Sequence, residues 1–432
     1  MHKSLIIIVL SLVSVSVFAQ GNVGSPYSRY SIGEINYSPL IRNNAMGGLG
    51  YTIVSNNNVN FVNPAGIANI DTLTFIFDFG MNGGVRKYQS DDLSVLKQDY
   101  QISYVNFGFS CTKWWKTALG IVPYSNVGYK IAEQDTIIFG TKKTYNYQGV
   151  GGVTRVYWAN AFRPFKKIDL KIGITAAYLF GEIIHQNSVI FKNTADVDAI
   201  SDFYAQNTYR VSSFNFETGL QYDIKLKNGD KLLLGVATNF KNNLRSFKSG
   251  LEYTINTASG LVDTVNVYSD KKGEELKGTI SIPLNIGGGI GYIFNDKVYV
   301  GVDYKFQDWS KTKFFDKTDS LHNAHFIFAG LEYIPAGYNG VAYKYYEVMR
   351  FRFGGYFNQT FYNLTGKEYP INDFGIVFGL GLPMKRSKTG FDISFKFGQR
   401  GTLENHLIRE RYFVAGISFN LSDIWFVKSK FD

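Results

Sequence analysis

Several features of enzymes and of disulfide-rich secreted proteins are missing from this sequence. Its 432 residues include a single cysteine, Cys111, which excludes a disulfide framework. None of the signatures G-x-S-x-G, H-E-x-x-H or a phosphate-binding P-loop occurs. His322 and His325 have no cysteine or carboxylate at ligand spacing, and residues three apart do not share a strand face. We therefore expect no catalytic residue, no metal and no cofactor.

Long apolar runs and clustered charge are missing as well. Beyond the first residues, no window approaches the roughly 18–20 apolar residues that a membrane helix needs. The net charge of +10 comes from 45 basic and 35 acidic residues that are interleaved along the chain. Nucleic-acid binding would need the basic residues on one element, so we expect none. A rim near the anionic headgroups of outer-membrane lipid or lipopolysaccharide explains this charge better.

The first residues are typical of a secretory signal peptide. Lys3 supplies a positive start, Leu5–Val13 is a short apolar core, and a small-residue cleavage site ends at Ala19, ahead of Gln20. We therefore expect residues 1–19 to be removed and the mature chain to cross the inner membrane to the outer membrane of a Gram-negative cell.

Alternation of apolar and polar residues is what the remaining sequence does contain. Lys297–Gln307 and Thr389–Gly398 both alternate apolar residues with charged, polar or glycine residues. Side chains of a strand point to opposite faces with period two, so each stretch has one apolar and one polar face. The mean hydropathy of -0.10 is near neutral and aromatic residues make up 16%. An all-β fold, a transmembrane antiparallel β-barrel with apolar residues toward lipid, accounts for both observations.

The predicted barrel occupies residues 71–432 and has about fourteen strands. The strand-like segments are 71–88, 98–112, 117–131, 144–163, 168–185, 208–226, 231–248, 276–294, 297–311, 321–334, 347–360, 371–383, 389–400 and 409–421. Their connections alternate between short and long, as tight periplasmic turns and open extracellular loops require. This parity predicts that both chain termini lie on the periplasmic side. Only 335–346, with twelve residues, breaks the rule.

Charged residues on the polar strand faces are expected to point into the lumen. Both signs occur, so the charges can pair with one another across the lumen or can line a polar conduit. The predicted lumen-facing residues are Asp78, Glu217, Asp303, Lys305, Glu332, Arg350, Arg352, Asp392 and Lys396.

Residues 20–70 lack the strand pattern, because Gly, Pro and Asn interrupt them every few positions. Their apolar content favours a plug folded into the lumen over a free linker. The motif Asn63-Pro64-Ala65-Gly66 lies near the end of this predicted plug.

The third predicted strand contains a proline. Pro123 has no amide hydrogen for a strand ladder, and every strand of a closed barrel has neighbours on both sides. We therefore predict a local break in pairing around Pro123, with Tyr124 and Ser125 beside it and the flanking glycines Gly120 and Gly128. A bulge that only shapes the wall and a functional gap both remain open.

The sequence resembles the FadL/TodX family of outer-membrane transporters for hydrophobic compounds. The resemblance rests on AMGGLG at residues 45–50, on NPAGIAN at residues 63–69 and on the overall layout. SPYSRY at residues 25–30 and IWFVKSKFD at residues 424–432 are similar to a Bacteroidota branch of such barrels, with kinship to PorV-type barrels.

The resemblance implies passive uptake of small hydrophobic molecules, such as long-chain fatty acids, with lateral exit through a wall gap near Pro123. The PorV kinship implies an alternative, a non-transporting scaffold that binds protein partners in a larger outer-membrane secretion or assembly complex. No ligand-contacting residue can be matched, so the resemblance implies no particular ligand.

Overall fold

The structure is a computed structural model that describes residues 24–425, except 38–39, 92, 137–141, 166, 193–200, 257–258, 269–274, 316, 319–320, 339, 341–342, 363–370, 385–387 and 405–406. The predicted signal peptide and residues 426–432 of the terminal motif lie outside the described residues. Among the described residues, no helix has the length and apolar character that crossing a membrane requires.

Twenty strands make up most of the described chain. In chain order they are β1 (Glu34–Ile35), β2 (Thr74–Ser90), β3 (Leu93–Ser110), β4 (Trp115–Thr136), β5 (Lys142–Phe162), β6 (Asp169–Lys192), β7 (Ser201–Lys225), β8 (Lys231–Asn239), β9 (Asn242–Asn256), β10 (Val262–Tyr268), β11 (Leu276–Ile282), β12 (Asn285–Phe294), β13 (Val298–Gln307), β14 (Lys313–Phe314), β15 (Lys317–Thr318), β16 (Ala324–Tyr333), β17 (Arg350–Gln359), β18 (Asn372–Pro383), β19 (Gly390–Arg400) and β20 (Arg409–Ile424). The helices are short: 3-10 turns at Pro26–Arg29 and Pro64–Asn69, α1 (Ile41–Asn44) and α2 (Tyr345–Val348).

The strands form one closed antiparallel wall. β2 pairs with β3 on one side and with β20 on the other, where Thr74 faces Ile424 and Gln89 faces Arg409. β8 continues into β9, and β11 continues into β12 across Pro283, which cannot donate to a ladder. Counting each of these pairs as one, and leaving out β1, β10, β14 and β15, which only flank wall strands, gives fourteen wall strands. The predicted antiparallel β-barrel of about fourteen strands is confirmed.

The wall has an apolar outer surface. On β13, Val300, Val302 and Tyr304 are exposed, whereas Gly301 and Asp303 between them are buried. The same alternation runs through the other wall strands, as period-two geometry requires. Exposed apolar surface on this scale is unusual for a soluble monomer.

The wall is taller on one side. β5, β6 and β7 have 21, 24 and 25 residues, whereas a tilted strand needs only about 9–11 to cross a bilayer. These strands therefore extend beyond a membrane-sized band, at the end of the barrel where the long loops lie. We call this the long-loop end and the opposite one the short-turn end.

The described residues of 24–70, called the N-terminal segment below, run through the barrel interior. Gly24 lies at the long-loop end, where its carbonyl accepts a hydrogen bond from the Tyr88 hydroxyl. The segment ends at the short-turn end, where Asp71 forms an ion pair with Lys388. Most of its residues are buried, and its apolar side chains, such as Met46, form the core with inward side chains of the wall.

Candidate functional site

The β3–β4 ladder covers only the part of both strands that is nearest the short-turn end. Pairing runs from Ser110 opposite Lys116 to Val105 opposite Ile121, and no further pair joins the described residues of the two strands. Pro123 follows two residues later. On its other edge β4 stays paired with β5, with a register shift at Tyr124. The wall therefore opens between the parts of β3 and β4 that lie nearer the long-loop end. We call this opening the split.

Strand β1 of the N-terminal segment occupies the β4 edge of this split. Glu34 lies opposite Asn126, and Ile35 lies opposite Ser125. The backbone N–H of Asn36 donates to the carbonyl of Tyr124 at 3.0 Å. A strand from inside the barrel thus takes the place that the next wall strand would fill.

Two side-chain contacts extend this seal. The Ser125 hydroxyl donates to the carbonyl of Ile32 at 2.7 Å, and the backbone N–H of Gly128 donates to the Ser28 hydroxyl at 3.1 Å. Gly128 also lies against Gly24, where a Cβ on Gly24 would come within 2.4 Å of the Gly128 carbonyl oxygen. The backbones approach here more closely than any side chain would allow.

Gly120 still belongs to the paired part of β4, opposite Asn106. A Cβ at Gly120 would lie 2.6 Å from the ring of Tyr157, whose hydroxyl donates to the Asn106 side chain at 2.8 Å. The glycine therefore makes room for the inward ring of Tyr157 on the short-turn side of the split.

The motif at residues 63–66 packs against two wall strands. The Asn63 side chain accepts a hydrogen bond from the backbone N–H of Ala65 at 3.1 Å, which caps the 3-10 turn that Pro64 begins. The Asn63 amide donates to the carbonyls of Tyr51 and Leu220 at 2.9 and 3.0 Å. This asparagine thereby joins two parts of the N-terminal segment to the wall.

Glycines on the wall make this contact possible. Gly173 of β6 and Gly219 of β7 face each other in the ladder. A Cβ on Gly173 would come within 2.2 Å of the backbone of Pro64 and Ala65, and a Cβ on Gly219 would come within 2.1 Å of the Asn63 side chain.

A charged cluster, here called the short-turn cluster, joins the N-terminal segment to the wall near the short turns. Glu332 accepts hydrogen bonds from Arg42 at 3.2 Å, from Arg352 at 2.6 Å and from the Tyr338 hydroxyl at 2.8 Å. Arg352 also pairs with Asp392 at 2.5 Å. All of these charged side chains are buried, so each needs its partners.

A second cluster, here called the long-loop cluster, lies at the other end of the interior. Arg400 pairs with Glu34 of β1 at 2.7 Å, with Asp373 at 3.1 Å and with Glu410 at 3.7 Å. Glu410 also accepts a hydrogen bond from the Ser25 hydroxyl. Arg400 therefore anchors β1 in the split.

Two predicted lumen residues bind backbone amides of the N-terminal segment. Asp303 accepts hydrogen bonds from the backbone N–H groups of Gly50 at 2.7 Å and Tyr51 at 3.0 Å. Asp78 accepts one from Val59 at 3.4 Å. Both carboxylates are buried, so the segment supplies hydrogen bonds that water would otherwise provide.

Two predicted lysines contact aromatic rings instead of carboxylates. The Lys305 ammonium lies 4.9 Å from the ring centre of Tyr37, and the Lys396 ammonium lies 4.2 Å from that of Tyr356. Both contacts are within the range of cation–π attraction. Burial raises the pKa of the Tyr37 phenol well above its ordinary value, so this ring stays neutral.

The remaining predicted lumen residues are Glu217 and Arg350. Glu217 pairs with Arg155 across the interior at 2.7 Å. Arg350 is half-buried and begins β17 opposite Gly381, close to the short-turn cluster. The functional roles of the residues at the motif, the split and the lumen stay predictions.

Among the described residues, the barrel interior contains small cavities, two of which have volumes of about 80 and 140 Å³. Ile35, Asn36 and Tyr37 line both of them and so separate them. Pro123 borders the smaller cavity, and Arg400 borders the larger one. The N-terminal segment fills most of the interior, and the part of it that lies in the split also divides what is left.

The whole chain, residues 1–432, matches the family model described as BamG. The chain belongs to the BamG family. No curated protein matches it.

Several solved structures share the fold. They include the toluene transporter TodX of Pseudomonas putida, with 14% identity, TM-score 0.59 and coverage of 91% of this chain and 100% of that one. The toluene transporter TbuX of Ralstonia pickettii has 14% identity, TM-score 0.55 and coverage of 89% and 98%. A FadL homologue of Pseudomonas aeruginosa has 13% identity, TM-score 0.54 and coverage of 91% and 98%. The predicted FadL/TodX-like fold is confirmed, whereas the PorV kinship stays a prediction.

Six charged residues of the site escaped the sequence analysis. Four of them lie on the inward faces of β5, β18, β19 and β20 and could have been found by extending the alternation, namely Arg155, Asp373, Arg400 and Glu410. Arg42 and Glu34 lie in the N-terminal segment, where no period indicates which way a side chain points.

Proposed function

We propose that this member of the BamG family is an outer-membrane barrel. The support is its outer surface, which presents large apolar side chains around the wall, such as Phe353, Ile376 and Val302. Apart from the parts of β3 and β4 at the split, the wall strands are paired on both sides, which suits a bilayer, where backbone polar groups find no water. Most of the inward charges are paired with one another or with the N-terminal segment, and Lys396 contacts the ring of Tyr356.

We propose that the barrel takes up small hydrophobic molecules, of the size of toluene or a fatty acid, and releases them sideways through the split between β3 and β4. The observation that carries this proposal is the end of the ladder at Val105 and Ile121, with β1 standing in the opening. A lateral route spares an apolar molecule a water-filled channel. Its burial from water is worth about 25 cal/mol per Å².

Opening requires the N-terminal segment to move, so we propose that it acts as a plug. The two cavities of about 80 and 140 Å³ are smaller than the roughly 300–1,000 Å³ of typical ligand pockets. Displacing Ile35–Tyr37 would merge them beside Pro123. Only two residues of β1 pair with β4, and the charge contact of Glu34 with Arg400 holds them.

A reversible disulfide between Ile35→Cys and Ser125→Cys tests this proposal. The two residues are directly opposite in an antiparallel pair, which places their Cα atoms about 4.5–5.5 Å apart, within the range of a disulfide. Uptake of radiolabelled oleate and toluene would be measured in cells carrying Cys111→Ser as background. We expect uptake to fall to the level of cells lacking the protein after oxidation and to recover with reductant.

A matched disulfide between Ile290→Cys and Val302→Cys joins β12 and β13 on a fully paired part of the wall. It should leave uptake unchanged in both redox states. Full uptake by the oxidised Ile35–Ser125 variant, with the disulfide verified by mass spectrometry, would rule out passage through the split.

A second candidate function is a scaffold barrel that does not transport and is a subunit of a larger outer-membrane secretion or assembly complex. The small interior cavities favour it, and so does the tall side of the wall. There β10 pairs only with β9 among the described residues, and Val265 and Val267 on it are exposed. Exposed apolar side chains on a strand edge are a common basis for binding another chain.

Purification in a mild detergent separates the two functions. A stoichiometric partner that is lost on changing Val265 and Val267 to lysine, with uptake equal to that of cells lacking the protein, would support the scaffold. A lone monomer with measurable uptake would support transport.

A further inference from the structure

The outer face of the wall carries a groove distinct from the split and from the interior. It has a volume of about 900 Å³ and runs across β17, β18, β19, β20, β2 and β3. Its apolar lining includes Phe357, Phe374, Ile376, Phe397 and Phe413. Of these, Ile376 and Phe357 are 55% and 47% exposed, so the groove is open to the surroundings of the barrel.

The floor of the groove is backbone. Gly375 and Gly398 face each other across the β18–β19 ladder, and both line the groove. Behind them stand the buried rings of Tyr356 and Tyr412, which fill the space that inward side chains at the two glycines would occupy. The groove is therefore a shallow apolar track along the outer wall.

Cations border the groove at the long-loop end. Lys87 of β2 lies directly opposite Arg411 of β20. Arg409 lies two residues before Arg411 on the same outward face of β20, nearer the long-loop end. Lys87 and Arg411 both line the groove. Cross-strand neighbours are close enough for their charged groups to contact one anion together.

None of these three cations is paired with a carboxylate among the residues that the structure describes. Arg411 donates to the Gln399 side chain at 3.1 Å, and Arg409 donates to the Gln89 side chain at 2.7 Å. Both partners are neutral. Three cations without an anion, on one edge of an apolar groove, fit a ligand that joins an acyl chain to a phosphate.

We propose that this groove binds a phosphorylated lipid of the outer leaflet, with one acyl chain along Phe374, Ile376 and Phe397 and the phosphate on Lys87, Arg409 and Arg411. The proposal rests on the proposed placement in the outer membrane but not on transport. The position of the cations at the long-loop end puts the phosphate at the level of outer-leaflet headgroups.

Native mass spectrometry of the purified protein in detergent tests this lipid site. Dioleoyl phosphatidic acid and dioleoylglycerol, which differ only in the phosphate, would be added at equal concentration. We expect phosphatidic acid to give the stronger one-to-one adduct and excess inorganic phosphate not to displace it. Because each cation near an anionic lipid contributes roughly fivefold to binding, the variant Lys87→Gln/Arg409→Gln/Arg411→Gln should weaken the adduct about a hundredfold.

The control variant Lys130→Gln/Arg245→Gln/Lys277→Gln removes the same charge from exposed positions outside the groove and should keep the adduct. Ile376→Asn should lose it with all three cations in place, which separates the acyl contact from charge alone. Heat-modifiable mobility in gels would verify that every variant is a folded barrel.

Equal adducts of both lipids, or equal loss in both triple variants, would overturn the proposal. So would a protein dimer that Ile376→Asn converts to monomers, because the groove would then be an interface between chains. Uptake does not enter this test, so its failure is distinct from failure of the proposed transport.

Discussion

At the scale of single residues, glycines decide how closely the N-terminal segment approaches the wall. Gly173→Ala should destabilise the barrel by about 1–3 kcal/mol, the usual cost of overpacking, because the new Cβ would lie 2.2 Å from backbone atoms of Pro64 and Ala65. Urea unfolding in detergent measures this change. Gly288→Ala is the matched control, since its Cβ would meet no atom closer than 3.3 Å. Equal effects of both substitutions would contradict the close contact.

The short-turn cluster makes a second residue-scale prediction. Glu332→Gln leaves Arg42 and Arg352 buried with less compensation, so it should lower the free energy of unfolding by about 3–5 kcal/mol, as breaking a buried ion pair typically does. Glu133→Gln, at an exposed position of β4, should change it little. The double variant Arg42→Met/Glu332→Gln should recover part of the loss. If Glu332→Gln unfolds like the wild type, the cluster does not hold the segment.

Much of the inward surface could be predicted from the sequence because a strand has period two. Asp303, Glu332 and Arg352 follow from it directly. The partners of these residues in the N-terminal segment could not be predicted, because Gly50, Tyr51 and Arg42 lie in irregular backbone whose path only the folded structure fixes.

At the scale of elements, Pro123 indicated a break in pairing but not its extent. The ladder stops before the proline, and Leu93–Tyr104 of β3 has no described ladder pair on the β4 side. One side-chain contact crosses the split there, where the Asn126 amide donates to Gln101 at 2.9 Å. Composition cannot predict this extent, because β3 itself contains no proline. It depends on β1 occupying the β4 edge.

The split should be visible in hydrogen exchange. About half of the backbone amides in Leu93–Tyr104 face the split, so their deuterium uptake in nanodiscs should exceed that of Gly390–Arg400, which is paired on both sides. Both stretches reach the long-loop end, which makes the comparison fair. Equal protection would mean that another chain segment pairs with Leu93–Tyr104.

The connection at 335–346, too long for its place in the alternation, also has a structural account. It leads into α2 (Tyr345–Val348), and its Tyr338 donates to Glu332 inside the barrel, while the backbone N–H of Ala336 donates to the carbonyl of Glu347 in α2. Its length lets one turn reach back to the short-turn cluster. Loop parity predicts at which end of the barrel a connection lies, but it does not predict that the connection contacts residues inside the barrel.

At the scale of the whole molecule, loop parity correctly predicted that the wall begins and ends on one side, where Leu73 accepts a hydrogen bond from Trp425. It also predicted both termini there, but residues 20–23 and 426–432 lie outside the described residues. Gly24 lies at the long-loop end, and the N-terminal segment then crosses the full interior before β2 begins. The alternation of short and long connections constrains only the wall strands, so it could not predict the path of a segment inside the barrel.

We propose that the N-terminal segment closes the barrel interior and that the way out of it is the split between β3 and β4. Ionic conductance in planar lipid bilayers tests this most directly. The wild-type protein should show no resolvable steady conductance, whereas a variant lacking residues 24–37 should conduct, because both cavities then join the long-loop end. A wild-type barrel that conducts steadily, or a deletion variant that stays closed, would contradict the account.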